Sequence, residues 1–300
     1  IELYQHTLLN QTEILPLVLQ ILRSYTILIP ELVTHDASRE FMLNTFKVLT
    51  NYLPRMRDDA RDVLISAIDL IILENYPNVD NYNRLLSILM ESNFLPQMIE
   101  MILDEDQALL TISKLLIIIS RITYLEPQNF NKIFEFLFPQ EDVRFKELQR
   151  FLNIWYVRME NVGNPRNKKI HTLGLSALLK TGQIVYFQDF KALAALWISC
   201  FEEINETEGD CEKYHGDYLY EFQYSESDLT IIENGEYKRF FKVLEEKDPV
   251  HNLNLKKFVT DLLAFIKGQF GDEFFNSVIA NVGDSNLLEN LEYFLKLNVS

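Results

Sequence analysis

Cys211 and His215 stand at i and i+4, a spacing that puts two metal-ligating side chains one above the other on a helical turn. A tetrahedral zinc site needs four such donors, and no second Cys/His pair accompanies them, so the pair predicts no metal. His6, His35, His171 and His251 are isolated from one another in sequence, which reads as helix-end or surface positions and not as catalysts. The nine glycines never take the G-x-G-x-x-G or Walker spacing that cradles a phosphate, and neither G-x-S-x-G nor H-E-x-x-H occurs. The expectation is a chain that is not an enzyme and takes no cofactor.

The chemistry that the sequence does carry is charge. Residues 1–200 hold 23 acids and 19 bases, net −4, whereas residues 201–300 hold 21 acids and 9 bases, net −12. Between Glu202 and Glu236 there are twelve acids against one base, Lys213, and no proline. Such a field repels phosphate backbones and anionic lipid and attracts basic proteins, so neither nucleic acid nor membrane is expected as a partner. Inside the stretch Tyr218, Tyr220, Phe222 and Tyr224 alternate with Leu219, Glu221 and Gln223, a period-2 run that predicts a short extended arm. One reading is a solvated acidic linker whose aromatics tuck against neighbouring helices. The other is a contact surface for a basic partner, built from Glu202, Glu203, Glu206, Glu208, Asp210 and Glu212 with cation–π contacts from Tyr218, Tyr220, Phe222 and Tyr224. The same arm could instead occupy the groove itself. Other charged groups have simpler roles. Asp58-Asp59 and Asp104-Glu105-Asp106 precede apolar runs, where negative charge complements a helix dipole. Arg166, Lys168 and Lys169 read as a solvated helix start, and Trp155 and Trp197 as core residues within apolar segments.

The elements that would position these groups are helical. Ala60, Val63, Leu64, Ala67, Ile68 and Ile71 follow i, i+3, i+4, i+7, and Leu255, Phe258, Val259, Leu262, Leu263 and Ile266 repeat the pattern. Pro30, Pro54, Pro77, Pro96, Pro127, Pro139 and Pro165 punctuate the periodic runs, and Asn164 and Asn254 are in place to cap the helices that follow them. The pattern predicts helices over 12–29, 38–53, 58–75, 80–92, 105–124, 128–138, 142–160, 165–180, 187–204, 237–246, 255–268, 270–281 and 285–297. Successive pairs occupy roughly 40 residues, the period of HEAT and armadillo units, which favours an all-α HEAT-repeat α-solenoid over a single large bundle. The division is HEAT-type repeats over 1–201, an acidic aromatic-containing insert over 202–236 and C-terminal HEAT-type helices over 237–300. Two cysteines are too few for a disulfide framework and point to a reducing compartment. The most hydrophobic region, Ile14 to Ile29, is broken by Gln20, Arg23 and Ser24, so a soluble protein is expected. A start at Ile1 within an apolar pattern suggests a piece of a longer protein.

A family resemblance emerges from two motifs. Asp248-Pro249-Val250-His251, followed by Leu255, Phe258 and an amphipathic helix, then Gly271 to Phe275 and a last helix ending at Leu295, resembles the C-terminal part of the importin-eleven branch of the karyopherin-beta nuclear transport receptors. Lys168 to Leu179, KKIHTLGLSALL, also resembles a basic-then-leucine-rich helix late in large importins. The resemblance covers roughly residues 140–300, and residues 1–140 agree in being helical. It implies a HEAT superhelix that acts as a monomer, binds protein cargo in the cytoplasm and releases it to the GTP-bound form of Ran in the nucleus. It further implies shuttling between cytoplasm and nucleus, basic cargo on acidic faces, Phe-Gly nucleoporins in grooves between outer helices, and Ran contacts mainly in an N-terminal region outside this chain. The competing classes are another HEAT scaffold, such as a phosphatase or translation regulatory subunit, and a helical enzyme.

Overall fold

A computed structural model describes residues 19–22, 35–104, 106–159, 162–206 and 246–295. Among these residues every regular element is a helix, and none is long and apolar enough to cross a membrane. Among the described residues the chain divides into two compact units, the first made of residues up to 118 with 246–248, the second of residues 119–206 with 249–295. The expected helix over 237–246 and the expected arm at Tyr218 to Tyr224 lie outside the described residues, as does the expected helix over 12–29 apart from the helical residues 19–22.

In the first unit His35 ends the chain's approach to a 3-10 turn at Asp36–Ser38, its Nδ1 accepting from the Ala37 N–H at 3.2 Å. There follow α1 (Arg39–Tyr52), α2 (Asp58–Asn75), α3 (Val79–Glu91), α4 (Phe94–Leu103) and the first part of α5 (Leu109–Leu125). Asp58 and Asp59 occupy the first turn of α2, where the helix dipole favours them. Buried Arg61 fastens that end: it donates to Asp58 at 2.7 Å, to the Met56 carbonyl at 2.7 Å and to Thr111 Oγ1 at 2.8 Å. At the other end of α2, Glu74 pairs with Lys247 at 2.5 Å. Helix α1 packs on α3 and α4, with Phe46 edge-on to Phe94 at 5.5 Å.

Here one expectation fails. Between the expected helices over 80–92 and 105–124, where Pro96 was read as a boundary and no helix was predicted, the structure holds α4, and the second of the two expected helices follows as α5. Pro96 lies in the first turn of α4, where the N–H groups have no intrahelical acceptor, so the missing donor costs nothing. The turn before it is made by Asn93 at φ 62°, a left-handed conformation that asparagine tolerates. Asp104 accepts from the Asp106 N–H at 3.1 Å and delays the next helix to Leu109.

The second unit takes the rest of α5 with α6 (Pro127–Leu137), α7 (Glu141–Met159), α8 (Pro165–Leu178), α9 (Phe190–Glu206), the short α10 (Pro249–Asn252), α11 (Leu255–Phe270), α12 (Asp272–Val282) and α13 (Ser285–Leu295). Both predicted caps form: Asn164 Oδ1 accepts from the Asn167 N–H at 3.1 Å with Pro165 at the first helical position, and Asn254 Oδ1 accepts from the Lys257 N–H at 2.8 Å. The helix expected from residue 187 is preceded by a 3-10 turn at Ile184–Phe187 and begins at Phe190. Helix α8 is the centre of the unit, with α6, α9, α10 and α11 packed on it, while α12 and α13 pack on α9 and α11. An aromatic file, Phe134, Phe151 and Trp155, runs from α6 into α7, with ring centroids 5.3 Å and 5.9 Å apart. Trp155 and Trp197 are fully buried, as their apolar settings predict. The fold class is all-α, of the HEAT-repeat solenoid type.

Candidate functional site

Three faces of α8 do three different jobs. Along the first, Lys168 pairs with Glu203, Thr172 Oγ1 meets Cys200 Sγ at 3.2 Å, and Ser176 Oγ accepts from Trp197 Nε1 at 2.8 Å. Positions 168, 172 and 176 advance by one helical turn each while 203, 200 and 197 recede along α9, so the two helices run antiparallel along a polar seam. Thr172 and Ser176 each also donate to the carbonyl four residues earlier, at 2.7 Å and 2.6 Å, which keeps the hydroxyls satisfied inside the core. Burial pushes the Cys200 thiol up to about 12, against a small opposing pull from the Thr172 hydrogen bond, so it is no nucleophile at neutral pH.

The second face meets α5 and α7. Gly174 lies so close to α5 that a Cβ there would be 2.8 Å from the Ser120 carbonyl oxygen. His171 Nδ1 is 2.6 Å from Ser120 Oγ and 3.3 Å from Trp155 Nε1. An indole N–H can only donate, so Nδ1 is the accepting nitrogen and the ring proton sits on Nε2. The sequence placed His171 at a helix end or on the surface. It is instead fully buried at a three-helix junction, and burial holds its pKa down at about 3.

The third face carries Lys169, fully buried, whose Nζ donates to the carbonyls of Val250 at 2.8 Å and Leu253 at 2.7 Å. Arg166 is buried too. The reading of Arg166, Lys168 and Lys169 as a solvated helix start is therefore overturned: α8 lies inside a stack, Arg166 is buried, and Lys168 and Lys169 hold neighbouring helices. Position in the stack is invisible to a local window, although the four-residue spacing of Lys168, Thr172 and Ser176 was a signal that could have been read. The same contacts explain the DPVH run. Asp248, Pro249 and Val250 are buried, and the carbonyls of Val250 and Leu253 accept from Lys169.

Of the predicted partner-binding residues, Glu202 is exposed on α9 and Glu203 is engaged by Lys168, while the backbone of Glu206 closes the helix. Glu208, Asp210, Glu212, Tyr218, Tyr220, Phe222 and Tyr224 lie outside the described residues, as do Cys211 and His215. Among the described residues no group of three or more His, Cys, Asp or Glu side chains is gathered as a metal site would require.

A family model described as importin-11-like, TPR repeats, matches residues 1–296. The chain belongs to the importin-11-like family. TPR and HEAT are both names for stacked antiparallel helix pairs, the arrangement that the α8–α9 seam shows. This importin-11-like chain is 31% identical to the importin beta-like protein KAP120 of Saccharomyces cerevisiae, over 96% of the chain and 29% of that protein. It is 21% identical to importin-11 of Mus musculus, over 99% of the chain and 31% of that protein. Its structure matches that of Lph2, described as a bidirectional nuclear transport receptor in S. cerevisiae, with a TM-score of 0.79 and 25% identity over 98% of the chain and 31% of that one. The chain thus spans about three tenths of the length of these relatives, and the similarity reaches past the part of the chain that the sequence motifs had covered.

Proposed function

We propose that this chain is the part of a nuclear transport receptor that binds protein cargo for Ran-dependent passage through nuclear pores, and that it carries out no catalysis. The observation that carries the reading is the family match across residues 1–296, joined to a structural likeness over nearly the whole chain to a nuclear transport receptor. Cargo is a basic protein, drawn by the acidity of residues 202–236, with Ran contacts mainly in a region outside the chain and Phe-Gly nucleoporins in apolar grooves. The receptor shuttles between cytoplasm and nucleus and works as a monomer. Affinity capture from cell extract with the full-length parent protein, with and without GTP-loaded Ran, tests this. Loss of basic cargo on adding Ran is the outcome for import, and tighter binding is the outcome for export. Partners indifferent to Ran would overturn the proposal in favour of a scaffold.

A further inference from the structure

The connection between α8 and α9 begins with a tight turn at Leu179–Thr181. Thr181 Oγ1 donates to the Leu178 carbonyl at 2.7 Å, the Gly182 N–H donates to the Leu179 carbonyl at 3.2 Å, and Gly182 takes φ 74°, a conformation that glycine adopts without strain. The turn packs on α11, whose Phe270 ring lies within 2.8 Å of where a Cβ of residue 182 would stand. Lys180 is exposed on this turn. Its Nζ rests over the Phe258 ring of α11, 5.1 Å from the centroid, and Tyr124 meets the same ring at 6.1 Å.

Three other lysines of the unit stand beside carboxylates, Lys168 by Glu203, Lys191 by Asp284 and Lys267 by Asp272. Among the described residues no carboxylate stands beside Lys180. An ammonium that gives up water to an apolar surface and gains no anion is disfavoured relative to the neutral amine, so burial lowers the Lys180 pKa from the ordinary lysine value, against the ring's attraction for a cation. The neutral amine is the nucleophilic form, and desolvation by apolar groups is one way in which a lysine is activated. Lys180 therefore combines access from an exposed turn with an enlarged share of free amine.

We propose that Lys180 is an acylation site, taking its acyl group from a thioester such as acetyl coenzyme A. The amine nitrogen attacks the thioester carbonyl carbon, the C–S bond breaks, and the coenzyme leaves as the thiol with the proton that the nitrogen gives up. Amine and thioester thus become amide and thiol. The amide carries no charge, so the acylated side chain lies on Phe258 without the cost of a partly desolvated cation, and the surface that frees the amine also favours the product.

Incubation of the full chain with acetyl coenzyme A, followed by mass spectrometry of its peptides, tests the site. Lys257 serves as the internal reference, since it is exposed on α11 beside Phe258. Lys180 is expected to gain acetyl several-fold faster than Lys257. Phe258→Ala, which lets water back to the amine, should bring the two rates together, whereas Phe258→Leu, which keeps an apolar cover, should leave Lys180 ahead. Equal rates in the unmodified chain overturn the site, and so does a lead that survives undiminished in Phe258→Ala. Should Phe258→Ala fail to fold, loss of the lead in Phe258→Leu overturns it as well.

Discussion

An alanine at position 174 would put its Cβ 2.8 Å from the Ser120 carbonyl oxygen and 2.9 Å from the Ser120 Cα, backbone atoms that cannot step aside. Gly174→Ala is expected to destabilise the chain by about 2–3 kcal/mol, the usual cost of overpacking. Gly268, also in a helix, has nothing within 4 Å of such a Cβ, and Gly268→Ala should stabilise by about 0.5 kcal/mol through helix propensity. Urea unfolding of both variants decides it, since a shared sign would mean that the close approach is not what position 174 needs glycine for. His171 makes a second prediction. An unfolded histidine protonates as pH falls below about 6.5, while the buried ring stays neutral down to about 3. Protons then bind the unfolded state preferentially, so the stabilisation is complete above the unfolded value and is lost as pH falls through this window. Between pH 7 and pH 5 the residue should contribute a loss of about 2 kcal/mol. His171→Asn will be less stable at pH 7, and its unfolding free energy should fall by correspondingly less over the same interval. Equal falls in the two proteins would show that His171 is not responsible. Neither site was legible from the sequence, because nothing local to Gly174 or His171 tells that α5 presses against their side of the helix.

At the scale of elements, propensity and capping explain most boundaries. Helix α2 begins and ends where its apolar period and flanking acids predict, and α6 and α8 each start on a proline. Caps of this kind are separable contributions. Asn254→Ala should cost about 1 kcal/mol in urea unfolding and Asn254→Asp much less, because the aspartate oxygen still accepts from the Lys257 N–H. A similar loss in both variants would place the role of Asn254 elsewhere. Helix α4 was missed for a reason that generalises: proline is read as a stop, yet within a first turn it is harmless, and the buried run Met98, Ile99, Met101 and Ile102 fills a whole short helix behind it. The lysines of α8 illustrate the opposite error. A basic helix start is normally solvated, and only the packing of α9 and α10 over it turns Lys168 and Lys169 inward.

At the scale of the molecule the acidity between Glu202 and Glu236 is the property that distinguishes this chain from a neutral stack of helices. A variant with Glu202, Glu206, Glu208, Asp210 and Glu212 replaced by Gln or Asn should bind octalysine several-fold more weakly at low salt, with little change in stability. Glu203 is kept, since its carboxylate already serves Lys168. Exposed charges are screened beyond a Debye length of about 8 Å at physiological salt, so the two affinities should converge as salt rises, which isothermal titration can follow. Unchanged affinity at low salt would mark the stretch as a linker, and tighter binding by the variant would mark it as an internal competitor. The sequence by itself determined the all-helical fold, the repeat class, the burial of both tryptophans and the asparagine caps. Those properties follow from local spacing, where a period of 3.6 and a side chain one turn from a free N–H are enough. It also carried the family motifs, in DPVH and KKIHTLGLSALL. Only the tertiary structure decided that α8 lies at the centre of its unit and that His171 and Lys169 are buried. These depend on helices that come from elsewhere in the chain, α5 against His171 and α10 against Lys169, and burial set by partners so distant in sequence leaves no local period to read.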